Sequence, residues 1–302
     1  MTENFATSLI VAEDATGPAG AVAGPFSIRG TNVLLSRRPI TAIQRRDAWR
    51  SVTHQVPVIS SHQLGWEFEI SGSDATEIVF DALADPGSST LVGALRSWQL
   101  GQPSDVRRFD FVLDPVEGGH FELRGAACTE AQLVMDRGRL ATWTTQWVGR
   151  QLTTDDSEPT ATDASGANFG GALDVQIAFA DIEAVIMSGA VAFTRDLAPA
   201  QYGTNNVAKQ WTGRHSVDVV GRLICRIPNA DYAELVVGRL IDTAATIQIN
   251  CGQRERMIEL PAIRLQATNR AFISQGTYEY SIDFVAVRTV NEPVASFTSE
   301  EL

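Results

Sequence analysis

The residues with the widest chemical range are His54, His62, His120 and His215, together with Cys128, Cys225 and Cys251. His120-Phe121-Glu122 has the H-x-E outline of a zinc deaminase. That chemistry also needs P-C-x-x-C to complete the metal site, and the chain has none. A histidine beside Gly118-Gly119 at a strand end therefore reads as structural. His54 and His62 stand eight apart in a charged stretch, a spacing that pairs ligands on neither a helix nor a strand. The cysteines show no CxxC or zinc spacing, and an odd number makes a poor disulfide framework, so they read as reduced apolar groups. No nucleophile elbow, phosphate-binding loop, dinucleotide fingerprint, zincin helix or EF-hand loop occurs. Asp114 and Glu117 flank a turn, and Asp155-Asp156 sit in a polar stretch; neither pair has a candidate nucleophile beside it. The expectation is a protein without catalysis, metal or cofactor.

Composition narrows the class further. The 302 residues carry 24 basic and 36 acidic side chains, a net charge of −12. Binding to nucleic acid rests on neutralising phosphates, so an affinity-type DNA binder is disfavoured. A surface past which DNA slides without sticking is not. Against this acidic background "SRRPITAIQRRDAWR" gathers Arg37, Arg38, Arg45, Arg46 and Arg50. Docking on the acidic surface of a neighbouring copy suits such a patch best, ahead of a solvated loop or a DNA contact. The apolar window "ALDVQIAFADIEAVIMSGAVAF" is broken by Asp174, Asp181 and Glu183, and the first residues lack a basic leader, so neither a membrane span nor secretion is expected.

The elements that must position these residues are mostly strands. Residues 1–25 read as an extended arm. Strands are expected over Phe26–Ser36 and "GWEFEI", where Trp66, Phe68 and Ile70 alternate. A long loop is expected between them. Asp74-x-x-Glu77 reads as a capping box opening a short helix with Ile78, Val79, Ala82 and Leu83 on one face. Asp85-Pro86-Gly87 stops it. Further strands follow to about residue 152. The stretch "TTDDSEPTATDASGANFGG", residues 153–171, reads as a linker.

The second half repeats this order. Ile70–Asp85 and Ile227–Asp242 share Ile, Asp, Glu, Val, Leu and Asp without a gap, six matches in sixteen positions. Trp143, Trp147 and Val148 stand where Tyr280, Phe284 and Val285 stand, and Gly138 and Gly276 mark equivalent turns. Strand, long loop ("APAQYGTNNVAKQWTGRH"), strand, capped helix and closing strands recur in sequence. Internal duplication is the economical reading.

Some of these residues also carry a family resemblance. "SGAVAFTRDLAPAQYGTNNVAKQWTGRHSVDVVGRL", residues 188–223, resembles the tail tube proteins of long-tailed bacteriophages at Ser188-Gly189, Gly203-Thr204-Asn205-Asn206 and Gly213-Arg214. "GAACTEAQLVMDRGRLATWTTQWVGRQL" looks like the strand-turn-strand that ends one tube domain, at Gly125, Cys128, Leu133, Gly138, Trp147, Val148 and Gly149. The first half lacks the Gly-Arg loop ending. The resemblance covers about two thirds of the chain, by order of elements more than by identity. It implies a mainly β (α+β) fold of two tandem tail-tube-like β-sandwich domains, each with one short flanking helix. Their expected bounds are 26–152 and 172–290, with a C-terminal tail at 291–302.

The resemblance further implies a structural virion protein, the major tail tube subunit. Homotrimeric, pseudo-sixfold rings would stack into a tube around a channel for DNA ejection. The expected partners are further copies, tape measure protein and DNA in the lumen, and other tail proteins, with no membrane and no cofactor. The expected place is the virion tail, after assembly in the host cytoplasm. Contact residues would be Arg37, Arg38, Arg45, Arg46, Arg50, Tyr202, Asn205, Asn206, Lys209, Trp211 and Arg214. A distal tail or baseplate ring protein is one rival. A tandem β-sandwich carbohydrate or cell-surface binding module is a rival of another class.

Overall fold

The computed structural model describes residues 7–14, 24–39, 44–46, 52–55, 60–101, 105–113, 120–155, 161–163, 175–179, 182–202, 208–213, 216–228, 243–252, 254–274, 277–289 and 292–301. The first half runs β1 (Thr7–Glu13), β2 (Phe26–Pro39), β3 (Gln44–Arg46), β4 (Val52–Gln55), β5 (Ser60–Glu69), α1 (Ile78–Leu83), β6 (Thr90–Val92), β7 (Leu95–Leu100), β8 (Phe109–Leu113), β9 (His120–Asp136), β10 (Thr142–Gly149), β11 (Gln151–Asp155) and β12 (Thr162–Asp163). The second runs β13 (Val175–Phe179), β14 (Ile182–Thr194), β15 (Leu197–Tyr202), β16 (Ala208–Gly213), β17 (Asp218–Arg226), β18 (Thr243–Cys251), β19 (Arg254–Ser274), β20 (Thr277–Ala286) and β21 (Ala295–Glu301). The protein is mainly β, and most strands join one large, almost wholly antiparallel sheet.

Alternation explains the strands. In β17, Val219, Leu223 and Cys225 are buried while Asp218, Val220, Arg222 and Ile224 are exposed. β18 buries Thr243, Ala245, Ile247, Ile249 and Cys251 in the same two-residue period. Each fully buried Leu, Ile or Phe contributes on the order of 1.5–3 kcal/mol through removal from water.

The strand partners form two closed circuits. In the first, β1 pairs with β2, β2 with β5, β5 with β10, β10 with β9, β9 with β8, and β8 with β1. In the second, β13 pairs with β14, β14 with β17, β17 with β20, β20 with β19, β19 with β18, and β18 with β13. The chain visits the two circuits in the same order. Closing a sheet on itself removes exposed edges. A hairpin stands between the second and third strand of each: β3–β4 in one, β15–β16 in the other. β11 continues along the start of β9, as β21 does along the start of β19.

The agreement extends to single residues. Trp147 faces Cys128 and Gln146 faces Glu130, so Thr129 is bulged out. Phe284 faces Leu265 and Asp283 faces Ala267, so Gln266 is bulged out. A bulge bends its strand and sharpens the local twist, so sharing it means sharing curvature.

Several sequence expectations are corrected. The N-terminal arm contains β1, whose Leu9 and Val11 are fully buried, because the first circuit needs a strand between β2 and β8. The C-terminal tail contains β21, with Phe297 fully buried against its neighbours. The linker begins as β11 and includes β12, which pairs in parallel with Phe26 and Ser27. Both long loops contain strand hairpins, hidden because their strands are short and their sequences carry little apolar alternation. Ser73, not Asp74, caps the turn Asp74–Glu77, its Oγ accepting from the Ala75 N–H at 3.2 Å. The second helix and Gly276 lie outside the described residues.

Candidate functional site

The predicted contact residues divide between the two hairpins and the strands leading into them. Arg37 and Arg38 lie on β2, opposite His62 and Ser61 of β5. Arg45 and Arg46 lie on β3, opposite His54 and Val52 of β4. Tyr202 ends β15 opposite Ala208, with Lys209 next on β16 and Trp211 opposite Pro199. Arg50, Asn205, Asn206 and Arg214 lie outside the described residues. The two groups therefore occupy corresponding places in the two circuits. Trp211 is half-buried and packs on Val106, Ala127 and Leu197. The β15–β16 hairpin thus rests on residues of the first half.

The halves meet along β9 and β14, whose register runs from Ser188 opposite Asp136 to Thr194 opposite Glu130. Gly189 sits within it. A Cβ there would stand 2.6 Å from the Arg222 carbonyl oxygen and 2.9 Å from the Leu223 Cα. Only glycine lets β17 approach this closely. A second joint is β7 against β21. Between the joints lies an aromatic group contributed by both halves. Phe80 of α1 stacks on Phe297 at 4.4 Å and meets Trp143 edge-on at 6.1 Å, while Phe193 lies 5.5 Å from Phe297.

Charged side chains that sequence reasoning missed surround this group. Glu77, fully buried, accepts from Arg254 at 2.7 Å, Arg96 at 3.0 Å and the Ser299 hydroxyl at 2.5 Å. Asp74 also binds Arg254, and Arg96 at 3.1 Å. Burial opposes ionisation of Asp74, but the two guanidinium groups outweigh it and hold the carboxyl below its usual range. Arg256 is buried, which lowers its pKa, and it donates to the Ser73 carbonyl at 2.8 Å. Asp81 accepts from Trp98 at 2.7 Å and from the fully buried Arg107 at 2.8 Å. Arg195 donates to the carbonyls of Ala82 and Leu83 and so closes the C-terminal end of α1; burial takes its pKa down to about 10, still protonated at neutral pH.

Spacing could not have revealed these pairs, since Glu77 and Arg254 are 177 residues apart. What they do is clamp α1 between the halves. Each carboxylate is neutralised by arginine, and the Ser299 hydroxyl on Glu77 is buried, out of reach of a substrate. Among the described residues no group of three or more His, Cys, Asp or Glu is placed to hold a metal ion. Among them, too, no helix is long and apolar enough to cross a membrane.

The remaining candidate surface is a pair of strand edges. Ile263 of β19 pairs with Thr243 of β18 on one edge and Ala286 of β20 on the other. Beyond it β20 continues, but the β18 edge along 264–274 has no strand partner among the described residues. β2 pairs with β1 as far as Gly30. From Thr31 to Pro39 it has β5 on one edge and, among the described residues, no strand on the other. Such edges are templates for another strand. No protein-family model matches this chain, and no curated protein sequence does.

Proposed function

We propose that this chain is a structural virion protein, the major tail tube subunit of a long-tailed bacteriophage. The observation that carries the reading is the pair of circuits with the same strand order and the same bulge position, joined edge to edge along β9 and β14. On this reading each circuit is a tail-tube-like domain, the first built from 7–155 and the second from 175–301, and the chain is a tandem duplication. Three chains then supply six such units, which suits a pseudo-sixfold ring, and stacked rings make a tube. Arg37, Arg38, Arg45 and Arg46, together with Tyr202, Lys209 and Trp211, fall on or beside the two hairpins, the elements available for contacts between copies and between rings.

Charge is compatible with a DNA channel. A ring of three chains carries three times −12, a sign that discourages DNA from adhering to a lumen. Screening limits the effect to about 8 Å at physiological salt. Tape measure protein and DNA would occupy that lumen in turn, neither read by sequence, and no cofactor takes part. An adhesion module would offer exposed tryptophans to a sugar ring, whereas four of the six here, Trp66, Trp98, Trp143 and Trp147, are fully buried.

Electron microscopy of the purified protein tests the proposal. Stacked rings with a central channel are expected. Single rings that never stack would favour a distal tail or baseplate part. A monomer that persists at high concentration and binds a glycan would overturn the reading.

A further inference from the structure

The two circuits share a residue-by-residue equivalence, and the joint between them uses only half of it. Leu133 of β9 faces Trp143, as Arg270 of β19 faces Tyr280, so Leu133 and Arg270 correspond. Leu64 and Gly221 correspond because they face Trp147 and Phe284. Leu35 faces Leu64 and Val191 faces Gly221, so Leu35 and Val191 correspond as well. Within the chain, Val191 pairs with Leu133. Its counterpart, Leu35 with Arg270, joins two edges that have no strand partner among the described residues.

We propose that the outer edge of β2 pairs antiparallel with the outer edge of β19 in a second copy of this chain, in the register Leu34–Ala271, Leu35–Arg270, Ser36–Asn269, Arg37–Thr268 and Arg38–Ala267. This repeats between chains the joint that β14 and β9 make within one. The inference names the partner surface for the ring proposed above and rests on that reading for closure. The pairing itself rests on the strand equivalence. Three features favour this occupant. Both edges are long enough, nine residues on one side and eleven on the other, against seven in the internal joint. Leu34 is 66% exposed in the single chain, whereas its counterpart Ala190 is partly covered by β9. The same displacement carries the β3–β4 hairpin onto the next copy, as β15–β16 rests on Val106 and Ala127 through Trp211. A heterologous contact of this kind, repeated, closes a ring or extends a filament.

Oxidative cross-linking tests it. One protein carries Ser36→Cys and another Asn269→Cys; they are mixed and oxidised, and each is checked for native circular dichroism. Directly opposed positions meet disulfide geometry, whereas partners four residues out of register lie about 14 Å away along the strand. A shift from monomer to reducible dimer is expected for this mixture and not for Ser36→Cys with Ile273→Cys. Ala192→Cys with Gln132→Cys in one chain is the positive control, since these residues already face each other; it should close without changing the oligomer. Rings in micrographs with a dimer band only from the out-of-register mixture would overturn the proposed register and leave the ring reading standing. A protein that stays monomeric and never cross-links between chains would overturn both.

Discussion

Arg254 reaches from β19 across the junction and places Nη1 2.7 Å from Oε1 of Glu77, which is fully buried. The same carboxylate also receives Arg96 and Ser299. Glu77→Ala leaves these groups without their common acceptor, at a site where the carboxylate is fully buried and Arg254 and Arg96 are mostly covered. Breaking a buried pair from one side costs about 3–5 kcal/mol. Urea denaturation should show a much lower midpoint for Glu77→Ala, with little change in the slope.

Asp74 supplies a pH dependence. Its folded pKa is depressed below the unfolded value by Arg254 and Arg96, despite its burial. The sign follows from linkage: the stabilisation is present above the unfolded pKa and is lost as pH falls through the folded one. Wild-type stability should therefore drop below about pH 4. Asp74→Asn should flatten that drop while lowering stability at neutral pH, as thermal unfolding at several pH values would report.

Asp85 runs the other way. Burial raises its pKa, an effect only partly offset by the Gly101 N–H and by Arg195 and Arg288. A raised carboxyl pKa means the charged form is worse accommodated folded than unfolded, so stability falls as pH rises through that range. Asp85→Asn removes the charge and retains a carbonyl for Gly101. It should raise the neutral-pH melting temperature and leave the value at pH 3 nearly unchanged.

Gly189→Ala should weaken the joint between the halves. The new Cβ meets the Arg222 carbonyl oxygen and the Leu223 Cα of β17, backbone atoms that do not give way as the Leu223 side chain beside them can. Overpacking of this kind costs about 1–3 kcal/mol. Hydrogen exchange should accelerate for β14 and β17 first, with less change in β1 and β8.

The native thiols should be silent. Burial pushes Cys128 and Cys225 up to about 12, and Cys251 is buried too. The thiolate is the reactive form. Titration with a disulfide reagent at pH 8 should find essentially none of the three cysteines folded and all of them in denaturant.

Much of this fold is legible along the chain because strand burial leaves a two-residue period. Trp66 and Phe68 declare β5, and the matches of Trp143 and Trp147 with Tyr280 and Phe284 mark equivalent strands from residue types and order alone. Expectation fails where pairing, not alternation, makes the strand. The hairpins holding Arg45 and Lys209 carry too little apolar pattern to announce themselves. β1 and β21 read as plain termini because nothing local says that a terminal strand completes a circuit. The Asp74 cap fails because its carboxylate is drawn to arginines that sequence distance hides.

By itself the sequence determined the strand-rich class, the repeated order of elements and the acidic surface, since these depend on composition and on neighbours a few residues apart. Only the tertiary structure decided that the strands close into two circuits, that Glu77 and Asp81 are buried ion-pair centres, and which edges of β2 and β19 have no strand partner among the described residues. Those outcomes depend on pairings between residues far apart in the chain, and a one-dimensional pattern does not encode which distant partner a backbone edge or a buried charge will meet.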